Sequence, residues 1–178
     1  MCCLRALLRA SALGLLVAAA AACGAGGGGG DGADAATPTL VLGTGLDSFV
    51  ELRDGDPAEL VAGPQGGYHV WVGVHFSGVP FRDVLYVNYA SVDAGGAPFG
   101  IEIEQPTRRD STTVLTGGVF ERLGDVAVMA AFPPPPAPGT VVTIRAAIKD
   151  AAQQVLISTS RQVVLRDDVV DPPGPGAR

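Results

Sequence analysis

The chain predicts an all-β protein folded as a single antiparallel β-sandwich, and three observations carry that expectation. Apolar and polar residues alternate with period two through most segments after Pro38. Clusters of Gly, Pro and Asp interrupt these runs at roughly ten-residue spacing, as short strands joined by tight turns require. No window of eleven or more residues in this stretch carries an apolar stripe at helical spacing. A closed barrel is the alternative for the same pattern.

The strands follow in order. Leu40 to Leu42 and Ser48 to Arg53 open the series, and Glu59 to Ala62 is a short third. Tyr68 to Phe76 gives the strongest signal: Tyr68, Val70, Val72, Val74 and Phe76 fall on one face, His69, Trp71, Gly73 and His75 on the other. Asp83 to Ser91 sets Leu85, Val87 and Tyr89 against Val84, Tyr86 and Asn88. Gly100 to Gln105, Ser111 to Leu115 and Asp125 to Phe132 come next. Phe120 to Met129 has helical spacing available, but Gly124 and the preceding Gly117-Gly118 argue against a helix. Thr140 to Lys149 and Val155 to Arg166 are long alternating runs, and Asp150 to Gln154 between them reads as a hairpin turn. Asp54-Gly55-Asp56-Pro57, Gly63 to Gly67 and Asp93 to Gly96 are further turns. The prolines from Pro133 to Pro138 read as a stiff loop between strands.

Ahead of this body lies a different composition. Arg5 and Arg9 precede the apolar run from Ala10 to Ala22, which ends at Cys23, and Gly24 to Gly30 follows. About 13 apolar residues fall short of the ~20 that cross a bilayer, so the run reads as an export signal rather than a span. Ala20-Ala21-Ala22-Cys23 resembles the lipobox of bacterial lipoproteins, with Ala20 where leucine is usual. That resemblance implies cleavage before Cys23 and a lipid on its sulfur. An ordinary secretory signal cut after an Ala-x-Ala triplet is the competing reading. The domain expectation is a signal at 1–22, a lipidated Cys23 with a Gly/Ala-rich flexible linker to 38, a β-sandwich over 39–171 and a disordered tail at 172–178. Gly24 behind the cysteine implies, by the same resemblance, an outer-membrane rather than an inner-membrane anchor.

Thr143 to Asp150 and Val155 to Ser160 resemble the terminal hairpin of immunoglobulin-like and fibronectin-type domains of bacterial surface proteins. The block Gly63 to Val72 is similar to a segment of uncharacterised lipoproteins of high-GC Gram-negative bacteria. These resemblances imply an immunoglobulin-like sandwich and no particular activity.

Charge and cysteine content limit the partners. The twelve basic residues fall to ten when Arg5 and Arg9 leave with the signal, against eighteen acidic, for a net charge of −8. Such a chain repels nucleic acid and anionic surfaces, so the lipid rather than electrostatics is expected to hold it at the membrane. Cys2 and Cys3 lie in the signal, which leaves no disulfide pair.

No catalytic constellation stands out, and no cofactor is expected. Serines lack a Gly-x-Ser-x-Gly elbow, and the glycine run lacks the Lys-Ser/Thr of a phosphate loop. His69 and His75 are six strand positions apart, ~20 Å, too far to share a metal. Asp54, Asp56 and Glu59 form an acidic group that reads as turn chemistry, as do Asp167, Asp168 and Asp171 at the C-terminal side. Glu102 and Glu104 share a strand face, as any Glu-x-Glu does. The candidate contact surface is His69, Trp71 and His75. The expected role is a non-enzymatic, lipid-anchored envelope domain that meets a protein or polysaccharide; a small-ligand or metal carrier built on residues 63–75 is the rival.

Overall fold

The computed structural model describes residues 37–64, 66–131 and 133–170. The expected signal, Cys23, the linker as far as residue 36, Asp171 and the tail lie outside them. The described chain is all-β: β1 (Thr39–Thr44), β2 (Val50–Glu51), β3 (Asp56–Ala62), β4 (Tyr68–Ser77), β5 (Val84–Val92), β6 (Ile103–Arg108), β7 (Thr113–Val114), β8 (Phe120–Ala130), β9 (Val141–Lys149) and β10 (Val155–Val170). Two single 3-10 turns, Arg109–Ser111 and Thr116–Gly118, flank β7.

The strands form one ten-stranded curled sheet in the order β2-β1-β4-β3-β10-β9-β5-β6, with β8 also on β4 and β7 on β8. All described pairings are antiparallel except β3 with β10, which is parallel from Asp56↔Val163 to Val61↔Val170. The curl brings β8 against the β5–β6 region, where Ser91 Oγ donates to the Val128 carbonyl at 2.8 Å.

Alternation places the core as expected. Val70, Val72, Val74 and Phe76 of β4 are buried, as are Leu85, Val87 and Tyr89 of β5. Val142, Ile144, Ala146 and Ile148 of β9 complete the same interior with Leu60, Met129 and Leu165. Each buried aliphatic or aromatic side chain contributes roughly 1.5–3 kcal/mol by leaving water.

Several boundaries differ from the sequence expectation. Only Val50–Glu51 of the second segment and Thr113–Val114 of the seventh are strand. β6 starts three residues late and runs through Pro106, which a central strand would not tolerate but this end of the sheet order does. β8 begins at Phe120 because Gly124, at φ +71°, absorbs a bulge. Across it Val72 faces Asp125 while Val74 faces Arg122, so two steps on β4 match three on β8. β10 runs on to Val170 because β3 supplies a parallel partner there.

Turns use the residues expected of them. The Asp150 carboxylate accepts the backbone N–H groups of Ala152 and Gln154, closing the β9–β10 hairpin. The prolines bridge β8 and β9, with a cis peptide at Pro133-Pro134.

Candidate functional site

β4 presents His69, Trp71 and His75 on the face away from the core, and all three are partly buried rather than open. They do not form one patch with one environment. The His69 ring meets Trp71 edge-on with centroids 4.8 Å apart. Its Nε2 is buried without a hydrogen-bond partner, and burial holds the imidazole below its ordinary pKa. Its Nδ1 lies beside Gly63, whose N–H donates to the Gly67 carbonyl at 2.7 Å, so the ring packs onto the turn that precedes it.

Trp71 lines a recess of about 220 Å3 with Thr44, Gly45, Leu46, Glu59, Val61 and Val170. His69 does not line it. Ligand pockets usually enclose ~300–1,000 Å3. The recess therefore suits one side chain of a partner better than a free small molecule.

His75 is engaged elsewhere. Its Nε2 is 2.8 Å from Glu121 Oε2 across the β4–β8 pair, and its ring stacks on Phe49 at 3.6 Å. These contacts tie the strand to its neighbours.

The most polar buried group escaped the sequence reading. Asp125 on β8 is 6 % exposed, and its carboxylate accepts two hydrogen bonds from Arg122, Nε at 2.5 Å and Nη2 at 2.7 Å. Arg122 also donates from Nη1 to the Pro106 carbonyl at 3.5 Å, a long contact toward β6. The buried Tyr89 hydroxyl faces this carboxylate without a hydrogen bond of normal geometry. Its phenol pKa is raised well above 10, by burial first and by the Asp125 charge second. The signal that could have revealed the group is Gly124: a bulge shifts Arg122 and Asp125 onto one side of the strand.

A recess of about 410 Å3 beside this group is lined by Ser111, Thr112, Thr113 and residues 121–125. The Ser111 and Thr112 hydroxyls both donate to the Arg108 carbonyl, so neither is poised against a base.

Four further acidic candidates hold hydrogen bonds within the fold. Asp54 Oδ1 accepts the Gln162 N–H, and Asp56 Oδ2 accepts the Arg53 N–H. Glu102 accepts from Asn88, and Glu104 from Lys149 and Gln153. Among the described residues no three His, Cys, Asp or Glu side chains are grouped to hold a metal ion.

No protein-family model matches the chain. The curated proteins contain no match to it either.

Proposed function

We propose that this chain is a lipid-anchored envelope protein whose non-enzymatic, immunoglobulin-like β-sandwich presents a binding surface outside the cytoplasm. The observation that carries the reading is Cys23 in its setting: two arginines, a short apolar run, small residues, then the cysteine and a glycine tract.

The strand order supports the finer fold. In immunoglobulin sandwiches one layer runs A-B-E-D and the other C-F-G, with C′ beside C in the variable type. Taking β1 and β3 as A, β4 as B, β5 as C, β6 as C′, β7 as D, β8 as E, β9 as F and β10 as G reproduces both orders. Two hallmarks of antibody domains are missing: β4 and β9 carry no cysteine, and the single tryptophan sits on the outer face of β4 instead of inside on β5.

The binding surface in this proposal is the Trp71 recess with its Glu59 wall. Its small volume favours a protein or polysaccharide contact over the carrier reading.

Metabolic labelling with an alkyne fatty acid tests the anchor. Label on the wild type and none on Cys23→Ser is the expected result, and label that survives the substitution defeats it. Crosslinking in intact envelopes tests the surface, comparing wild type with Trp71→Ala and His69→Ala. A crosslinked species lost in Trp71→Ala is expected; a pattern unchanged in both variants makes this face structural.

A further inference from the structure

The net negative charge of the chain conceals a local excess of arginine at one end of the body. Of its twelve basic residues, Arg82, Arg108 and Arg109 line a single cleft of about 490 Å3, together with Asp83, Val84 and Asp110. The β5–β6 pair brings them together: Val84 pairs with Arg108, and the Arg109 N–H donates to the Asp83 carbonyl at 3.1 Å.

The three arginines are not equivalent. Arg109 is fixed, with Nη1 donating to the Phe81 carbonyl at 2.6 Å and its guanidinium 5.6 Å above the Phe120 ring. That ring packs in turn on Phe76 and Phe81. Arg82 and Arg108 are exposed, and their guanidinium groups meet no acceptor among the described residues, although two carboxylates line the same cleft. Two unengaged guanidinium groups beside an anchored third line the cleft, and each is a planar fork of N–H donors matched to a phosphate or carboxylate.

The position of the cleft suggests which oxyanion. Thr39 starts β1 and pairs with Ser77, their hydroxyls 2.7 Å apart. Arg82 follows Ser77 by five residues, at most roughly 18 Å of chain. The cleft thus lies at the end of the body where the chain arrives from Cys23. Fifteen residues lie between Cys23 and Thr39, and the contour from one to the other is at most roughly 58 Å. Trp71 is six strand positions from Ser77, ~20 Å toward the other end.

Resting on the lipid anchor at Cys23, we propose that the Arg82–Arg108–Arg109 cleft binds the phosphate headgroups of net-anionic lipids in the membrane that holds the chain. The cleft is drawn to that surface while the acidic remainder is repelled, so the domain stands on its arginine end. The Trp71 recess then points away from the bilayer, toward a partner.

The test uses the full chain in neutral detergent micelles, with hydrogen–deuterium exchange read at residues 78–84 and 107–112. Dihexanoyl phosphatidylglycerol is expected to protect both segments saturably, with affinity at least about tenfold above that for dihexanoyl phosphatidylcholine. The Arg82→Gln/Arg108→Gln double variant loses this protection, whereas Arg145→Gln, on the exposed side of β9, keeps it. Unchanged Trp71 fluorescence reports that the variants remain folded. Equal protection by both lipids, or none, overturns the proposal. Saturation by inorganic phosphate at the same concentrations also overturns it, because the site would then take free phosphate. Intact mass at Cys23 is measured separately, so loss of the anchor reading is distinguished from loss of this one.

Discussion

Replacing Asp125 with alanine removes the acceptor for two charge-assisted hydrogen bonds from Arg122 and leaves a guanidinium beside the core. Breaking a fully buried pair by deleting one partner costs roughly 3–5 kcal/mol. Here the carboxylate is 6 % exposed but the arginine is 22 % exposed, so water reaches the orphaned cation and reduces the penalty. The expected loss is about 2–3 kcal/mol, or a Tm fall of roughly 5–10 °C for a domain near 150 residues. The assay is equilibrium unfolding in urea followed by fluorescence of Trp71, the single tryptophan. The paired change Arg122→Met/Asp125→Leu recovers most of the loss, since exchanging both partners of an ion pair for apolar groups is often neutral. Stability of Asp125→Ala within about 0.5 kcal/mol of wild type refutes the claim that this pair is energetically buried.

Three other perturbations probe separate parts of the body. A Cβ on Gly100 would collide with the Val128 carbonyl oxygen, so Gly100→Ala lowers stability by about 3 kcal/mol in the same urea assay; an unchanged midpoint means the seam between β8 and the β5–β6 connection is looser than described. His69 is held below its ordinary 6.5, so the unfolded chain binds the extra proton; its contribution is complete above pH 6.5 and is lost as pH falls below it. The stability gap between wild type and His69→Gln therefore narrows from pH 7.5 to pH 5, and a constant gap contradicts the burial argument. Tyr89 is raised above 10, so its contribution is complete below pH 10 and declines above it. Its hydroxyl makes no normal hydrogen bond, so Tyr89→Phe costs less than about 1 kcal/mol at pH 7 by thermal unfolding; a larger loss assigns the hydroxyl a real bond to Asp125.

What the sequence disclosed and what it withheld divide along one physical line. β4 and β9 were legible because each is a regular strand with one buried face, so period two survives along its whole length. The Asp93 and Asp150 turns were legible because their chemistry is local: each aspartate accepts backbone N–H groups from two and four residues further on. The Asp54 carboxylate instead reaches Gln162, a partner no local pattern announces. β8 was cut short because the bulge at Gly124 inverts the alternation midway. The same inversion hid the candidate polar group, since residues three apart on a regular strand face opposite ways. The extent of β10 was withheld because Asp167 and Asp168 interrupt its apolar pattern, and the pairing that extends it comes from β3, a hundred residues away. Net charge likewise averaged away the arginine cleft, which exists only because β5 and β6 bring residues 82 and 108 together.

The parallel zipper between β3 and β10 has a temporal consequence. β3 and β10 are the third and the last strands of the described residues, so most of the separation along that stretch must be closed in one event. Such high contact order slows folding. A chain still emerging, or truncated at the β9–β10 turn, leaves Ala58, Leu60 and Val61 without the neighbour that covers them. Until that neighbour arrives, one edge of β3 keeps its backbone N–H and carbonyl groups open to pairing with another strand.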